Sequence, residues 1–476
     1  MPAASTWGGL LAGAPSLTEE ARRFRMQLRL PTDRPVIMSG HQAAFWHMGI
    51  AAKWLGLAAA GSKLSAHTAW LVVDHDPEDF SLIRVPVVTG DSVDVVSVPL
   101  APVPVAESIR AGVPPCLIPA FEPRGADAAQ AMAECFRNTL GDARQALSTA
   151  RASDTGLNAA EQLSRATSEL MDQWVGSACR PGTMLAVTDL HRTDLFASMV
   201  ARMSESLEAA VACTTAYNLA IAAAPKARLA PLVCEVAKGR VELPLWCLDP
   251  TTGIRKRVFH HTMATMRPGT LAPRALLLTG LMRLAACDLF IHGLGGGTTV
   301  AVPGAAAGTE QPSTAEVAGY DAAAEAWFRT WLGQELRPSV VISATSLLDL
   351  GAGEVVTPHE AASATWMAQR VRHDPQLLGD SKAAAAKAEL VRTIRELAPR
   401  TLERAAAFRQ LHTLLAEYQI RHAAEIGEMK TNAEWLRRLA AVSGPRTDRT
   451  YSFVLHGPAG LRRLAARFDE AFAGGC

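Results

Sequence analysis

Histidine, glutamine and glycine residues occur together in residues 39–50, which read SGHQAAFWHMGI. His41 and His47 can transfer a proton near neutral pH, and Gln42 can donate and accept hydrogen bonds. Gly40 has no side chain, so another group can approach the backbone closely there. This composition is typical of a ligand-binding turn. The structural alternative is that the histidines cap a helix while the aromatic residues of the segment fill a core.

An acidic segment with one histidine follows the apolar run at residues 69–73 and reads DHDPED over residues 74–79. Neighbouring carboxylates raise each other's pKa, and an adjacent imidazole can accept or donate a proton. Asp74, His75 and Asp76 are therefore candidates for general acid–base chemistry or for metal coordination. The structural alternative is a solvated acidic turn that caps a helix.

A glycine-rich turn ends a third apolar run, in the segment CDLFIHGLGGG at residues 287–297. Its backbone N–H groups can approach a phosphate or a carboxylate. The glycine spacing differs from the dinucleotide-binding fingerprint, and no Lys-Ser/Thr pair follows as it does in a P-loop. A flexible loop without a ligand is the alternative interpretation.

Short apolar runs precede the three polar segments and recur along the chain. They lie at residues 36–38, 69–73, 184–187, 289–291 and 340–342. Continuous apolar runs of this length, each near a helical stretch, are typical of parallel strands buried on both faces. The sequence thus predicts an α/β fold with a Rossmann-like parallel sheet. In such sheets the ligand crevice lies outside the carboxyl ends of the strands, where the three polar segments begin.

The predicted domain organisation has four parts. They are a Rossmann-like core over residues 1–350 with insertions near 82–180 and 200–270, a connecting helical region over 351–379, a coiled-coil-like helical arm over 380–441, and a segment over 442–476 that returns to the core. Within the insertions, residues 241–259 are predicted to form a hairpin. Pro399 is predicted to separate two helices of the arm, whose apolar seam favours a homodimer contact.

Composition restricts the class of partner. Lys and Arg total 47 and Asp and Glu total 46, so the charge balance does not favour binding to nucleic acid. Eight cysteines are scattered without a CxxC pair, which is typical of reduced thiols in a cytoplasmic protein. The best candidate for a membrane span, near residues 43–60, contains His47 and Lys53. We expect a cytoplasmic protein that binds a small molecule.

Three stretches, in this order, resemble motifs of the bacillithiol biosynthesis cysteine-adding enzyme family. SGHQ at 39–42, with Lys53 downstream, is similar to the family's early glycine–glutamine motif. VDHD at 73–76 is similar to its acidic motif after a Trp-containing strand, and residues 271–297 resemble its segment that leads into a glycine-rich turn. The helical C-terminal part is similar to the coiled-coil domain through which family members dimerise. The resemblance touches most of the chain, through short motifs separated by dissimilar insertions.

The resemblance implies a nucleotide-sized pocket in a Rossmann-like core and a ligase that joins cysteine to an amino-sugar conjugate through an amide bond. An adenine nucleotide is the candidate cofactor. The candidate binding residues are Gly40, His41, Gln42, His47, Lys53, His292, Gly293, Gly295, Gly296 and Gly297. The candidate catalytic residues are Asp74, His75 and Asp76.

The chain departs from the family pattern at three places. His41 stands at the usual second glutamine-type position, FWHM at 45–48 replaces the FTGP-like continuation, and the glycine-rich turn lacks the expected acidic residue. These departures bear first on the identity of the acceptor substrate.

A mechanism follows as a hypothesis from the residue types. An amine must be neutral to attack a carboxyl-derived centre, so His75 or Asp76 would accept its proton while amides of the glycine-rich turn stabilise the oxyanion.

Two other functions fit the same residues. A metal-dependent hydrolase would use imidazole and carboxylate ligands. Its candidate ligands are His41, His47, Asp74, His75 and Asp76. A non-catalytic dimeric protein that binds a small molecule is the other possibility, with a retained pocket and lost chemistry.

Overall fold

The computed structural model describes residues 4–89, 92–124, 132–293, 319–348, 350 and 356–473. The chain divides into two compact units. The first comprises residues 1–85, 96–346 and 449–476, and the second comprises residues 86–95 and 347–448. No helix within the described ranges is long and apolar enough to cross a membrane.

The strands and helices alternate along most of the chain. The strands are β1 Val36–Gln42, β2 His67–Val73, β3 Leu82–Thr89, β4 Ser92–Pro99, β5 Thr183–Ala186, β6 Cys234–Glu235, β7 Arg240–Leu248, β8 Arg255–Phe259, β9 Leu271–Pro273, β10 Leu289–His292 and β11 Ser339–Val341. The α-helices are α1 Trp7–Ala12, α2 Glu19–Gln27, α3 Met48–Lys63, α4 Val103–Arg110, α5 Glu134–Ser153, α6 Ala159–Trp174, α7 Asp194–Ser204, α8 Leu207–Ala222, α9 Ala275–Leu281, α10 Tyr320–Leu332, α11 Pro358–Arg370, α12 Ser381–Glu396, α13 Leu402–Arg421, α14 Ala423–Thr447 and α15 Phe453–Ala473.

A parallel sheet lies at the centre of the first unit, with strand order β11-β10-β1-β2-β5. If these five strands are numbered 1 to 5 in the order in which they occur along the chain, their order across the sheet is 5-4-1-2-3. This is the order of a doubly wound α/β domain. The strand order reverses between β1 and β10, and this reversal is the topological switch point where such sheets bind ligands. The predicted α/β class and the predicted parallel sheet are confirmed.

β1 is the central strand, and its residue types explain its position. Val36, Ile37 and Met38 are fully buried, as an apolar run in a two-faced sheet requires. The one polar residue buried with them, Ser39, donates from Oγ to the carbonyl oxygen of Ile291 in β10 at 2.8 Å. This hydrogen bond offsets the cost of burying the hydroxyl.

Helices cover both faces of the sheet. On one face α3 packs against β1 and β2, and the rings of Trp54 in α3 and Trp70 in β2 have centroids 5.0 Å apart. On the other face Met38, Leu71 and Phe290 join a core that contains residues of α2 and of α7 to α10. Since successive side chains of a strand point to opposite faces, each strand contributes to both layers.

The connecting segments add a second group of strands. β3 and β4 pair with each other, and β6, β7, β8 and β9 form a separate antiparallel sheet before β10. β7 and β8 are the hairpin predicted for residues 241–259, so that prediction is confirmed.

The second unit is mainly helical. α11 packs with α14, and α12 packs with α13. α12 ends at Glu396 and α13 begins at Leu402, which confirms the predicted break around Pro399.

Gly40→Ala is expected to destabilise the protein, because a Cβ atom at this position would lie 2.4 Å from the carbonyl oxygen of Leu71 in the neighbouring strand. Overpacking of this kind costs about 1–3 kcal/mol of unfolding free energy, which urea denaturation would measure. Gly141→Ala in α5 is the matched control, since nothing lies within 4 Å of its added Cβ. A denaturation midpoint for Gly40→Ala at or above that of the wild type would contradict this packing role.

Candidate functional site

The carboxyl ends of three adjacent strands form the candidate site. β10, β1 and β2 lie side by side and run parallel, so the segments that follow them leave the same edge of the sheet. The first two predicted turns, around residues 40 and 75, therefore meet at this edge. The third turn starts there with His292 and Gly293, while Gly295, Gly296 and Gly297 lie outside the described residues.

Lys53 lies at the switch point and is the most unusual charged group of the site. Its side chain is buried in α3, with 5% of its surface exposed, and Nζ donates to the carbonyl oxygen of Gly40 at 2.5 Å. Nζ also lies 5.7 Å from the ring centroid of Trp70. Lys53 makes no ion pair within the described part of the chain. Burial lowers the pKa of Lys53 to about 7.

His41 and His47 lie near this buried amine. Burial, followed by the positive charges of Lys53 and His47, lowers the pKa of His41 to about 3. The Nδ1 atom of His41 is buried without a hydrogen-bond partner among the described residues. Burial, Arg449 and Lys53 likewise lower the pKa of His47. We call His41, His47, Lys53 and Arg449 the cationic cluster.

The cationic cluster favours binding of an anion. Lys53 disfavours the protonated form of both histidines, and Arg449 has the same effect on His47, because like charges disfavour the charged form. A bound phosphate or carboxylate would reverse that effect and supply acceptors for the unused N–H groups. Within the described ranges, the end of β1 is therefore a polar site without a counter-charge.

His47 also has a structural role, as the alternative interpretation predicted. It is the N-cap of α3, where its Nδ1 accepts a hydrogen bond from the backbone N–H of Gly49 at 3.0 Å. Phe45 and Trp46 are buried, so the aromatic residues of this segment do fill a core. Gly40 contributes its carbonyl group to Lys53, and its missing side chain makes room for Leu71.

The first two turns are joined by direct hydrogen bonds. Gln42 Nε2 donates to Asp76 Oδ2 at 3.1 Å, and the guanidinium of Arg255 donates to Asp76 Oδ1 at 3.0 Å. Arg255 lies in β8 and stacks on the ring of Trp246, with 4.3 Å between the guanidinium carbon and the ring centroid. The side chain of Asp76 is 35% exposed, so its carboxylate remains accessible to a ligand.

The other two predicted catalytic residues, Asp74 and His75, lie inside the protein. Asp74 accepts hydrogen bonds from the backbone N–H and the hydroxyl of Thr188, and burial raises the pKa of Asp74 to about 6. His75 is only 4% exposed, and burial followed by the charge of Arg255 lowers its pKa to about 4. Of the three predicted catalytic residues, Asp76 is thus the one whose side chain reaches the surface of the cleft.

The end of β10 meets the end of β1 at Lys53. A Cβ atom built on Gly293 would lie 3.9 Å from Cδ of Lys53. The preceding residue, His292, places Nε2 at 2.7 Å from Oδ1 of Asp321. The sequence pointed to the histidine through its position after a strand, and Tyr320-Asp321 follows the glycine-rich segment closely enough to reach back to it. Arg255 lies far along the chain and carries no comparable local signal.

Metal ligation requires several donors at one point. Within the described ranges no group of three or more His, Cys, Asp or Glu side chains is arranged to hold a metal ion. The five ligands considered for a metal-dependent hydrolase are divided instead. His41 and His47 belong to the cationic cluster, while Asp76 pairs with Arg255.

Comparisons of the sequence with protein-family models and with curated proteins found no match to either.

Lys53→Met is expected to change how stability depends on pH. The folded chain releases the Lys53 proton near pH 7, whereas the unfolded chain holds it up to the ordinary value of 10.5. The unfolded state therefore binds the extra proton between these values, so wild-type stability should rise with pH relative to Lys53→Met, by an amount on the order of 3 kcal/mol.

Urea denaturation at pH 6, 8 and 10 would measure this difference, with Lys63→Met as the control at the exposed end of the same helix. The difference between the wild type and Lys63→Met should not depend on pH in this way. Parallel pH curves for the wild type and Lys53→Met would contradict a lowered pKa for Lys53.

Proposed function

We propose that this protein is an enzyme that binds an anionic small molecule at the cationic cluster and joins an amine to a carboxyl group beside it. The observation that carries the proposal is the buried Lys53 amine at the switch point, which uses one of its N–H groups on Gly40 and has no ion pair within the described residues. A nucleotide phosphate is the first candidate for the anion, because switch points of doubly wound sheets commonly hold nucleotides.

The energetics of burial support an anionic ligand. A buried cation is costly unless it is paired, and Lys53 lowers that cost by giving up its proton near pH 7. An anion that enters the cleft would stabilise the charged form, and each charge-assisted hydrogen bond is stronger than a neutral one. Binding should therefore be coupled to protonation of Lys53.

The exposed carboxylate of Asp76 supports the acceptor side of the proposal. Gln42 and Arg255 fix both of its oxygens, which leaves a rigid acceptor for an ammonium or a hydroxyl group. An amino sugar carries both groups. For the rest of the reaction the proposal takes ATP as the nucleotide: the substrate carboxylate would accept its terminal phosphoryl group, with release of ADP, or its adenylyl group, with release of pyrophosphate. The amine would then displace phosphate or AMP to give the amide.

The same proposal includes the finer features that the resemblance implies. The parallel sheet would belong to the Rossmann-like class, and the helices of residues 380–441 would form a coiled-coil-like contact between two copies of the chain. Sedimentation velocity of the full chain would detect such a dimer.

Nucleotide binding should depend on Lys53. We expect ATP, ADP or inorganic phosphate at millimolar concentration to raise the Tm of the wild type, since a ligand at about 100 times its Kd stabilises a protein by about 2.7 kcal/mol. Lys53→Met should lose most of this shift, and Lys63→Met should retain it. A shift of the same size in Lys53→Met, or no shift with any of the three probes, would rule out the proposed anion site.

A turnover assay separates an enzyme from a binding protein. The full chain would be incubated with cysteine, an amino-sugar amine and ATP, and mass spectrometry would detect the amide together with ADP and phosphate, or with AMP and pyrophosphate. Amide formation that Asp76→Asn reduces by tenfold or more is the expected result. Nucleotide binding without any amide product would favour a non-catalytic binding protein instead.

A further inference from the structure

A histidine and a buried carboxylate face each other at the end of β10. His292 is the last residue of β10, and Asp321 lies in the first turn of α10. Nε2 of His292 lies 2.7 Å from Oδ1 of Asp321. Both residues belong to the first unit, and His292 precedes Gly293 at the switch point.

The Asp321 carboxylate is held on both of its oxygens. Oδ1 also accepts from the guanidinium of Arg283 at 3.2 Å, and Oδ2 accepts from the hydroxyl of Ser339 at 2.8 Å. Although burial raises the pKa of Asp321, the charges and hydrogen bonds of His292, Arg283 and Ser339 lower it overall. Asp321 is therefore a fixed, ionised group that orients the imidazole of His292.

The geometry assigns different roles to the two nitrogens of His292. Nε2 lies close to the carboxylate although it makes no hydrogen bond of regular geometry with it, and Nδ1 has no hydrogen-bond partner within the described residues. The ring is 11% exposed and packs against Phe290, with ring centroids 4.5 Å apart. His75, by contrast, forms no ion pair within the described ranges and is more deeply buried.

The charged groups around the pair carry a net negative charge. Arg283 is buried in a π-helical turn at Met282–Ala286 and pairs with a second carboxylate, Glu325, as well as with Asp321. Two carboxylates thus share one guanidinium beside His292. The titratable or charged groups that face His292 are Asp321 and Tyr320 of α10, with Glu325 and Arg283 behind them. Lys53 of α3 lies beside the next residue, Gly293.

We infer that His292 is the proton acceptor of this site, and that Asp321 and Arg283 are its positioning residues. A substrate ammonium, R–NH3⁺, would give one proton to Nδ1 and keep the bonding pair as the lone pair of the nucleophile R–NH2. The imidazolium that forms is stabilised by Asp321, as in other histidine–aspartate pairs. This inference rests on the proposed function, because it presumes a nucleophile bound at the same edge of the sheet.

Chemical modification tests the assignment without a known substrate. Diethyl pyrocarbonate reacts with a neutral, accessible imidazole. After treatment of the full chain, peptide mass spectrometry would give the rate of modification of His292 as a function of pH. The exposed His261 is the internal reference. We expect His292 to react in the wild type, Asp321→Asn to move its pH profile to lower pH by about one unit, and ATP to slow the reaction at least about threefold.

A second variant covers the case in which Asp321→Asn does not fold. Glu325→Gln removes the partly exposed carboxylate and should move the profile in the same direction by a smaller amount. No reaction at His292 while His261 reacts, or a profile unchanged in every folded variant, would overturn the assignment.

The turnover assay then separates this inference from the proposed function. His292→Gln should keep the nucleotide-induced Tm shift and lower amide formation by about 100-fold or more, the usual contribution of a general base. A missing Tm shift in the wild type would count against the anion site. A preserved Tm shift with unchanged turnover in His292→Gln would overturn the role of His292 alone.

Discussion

The pairing of β1 with β10 on one side and with β2 on the other is the constraint from which the site follows. Residues 36–42 align with residues 67–73 of β2, and Ile37 and Met38 align with Leu289 and Phe290 of β10. This register places the ends of three strands, which are distant in the sequence, at one edge of the sheet. A shift by one residue would exchange the two faces of β1, because the side-chain period of a strand is two.

Buried polar groups around this edge fall into two kinds, and the difference is informative. Arg283 and Asp321 satisfy each other and have additional partners, as buried charges in a stable core must. Among the described residues, Lys53 and His41 have too few partners for their number of polar atoms. Native structures leave few buried polar atoms unsatisfied, which is the reason that the proposed function places a ligand at the switch point.

The sequence predicted those parts of the site that depend on local pattern. Apolar runs predicted β1, β2, β10 and the parallel class of the sheet, and the class in turn predicted that the turns near residues 40 and 75 would meet. The sequence could not identify Arg255 as the partner of Asp76, because the two residues are separated by 179 positions and meet only through the fold of an inserted hairpin. The sequence also could not show that Asp76 is exposed while Asp74 is buried, because the burial of each residue in a turn depends on which distant segments pack over that turn.

Because side chains alternate between the faces of a strand, the end of β1 contacts two different polar groups, Lys53 and Asp76. His41 and Gln42 are consecutive in β1, so their side chains point to opposite faces of the sheet. His41 accordingly lies with Lys53 on the side of α3, while Gln42 reaches Asp76. A ligand that used both groups would have to lie across the end of β1, with its anionic part towards α3 and its amine towards Asp76. His292, the last residue of β10, lies at the strand end next to this ligand position.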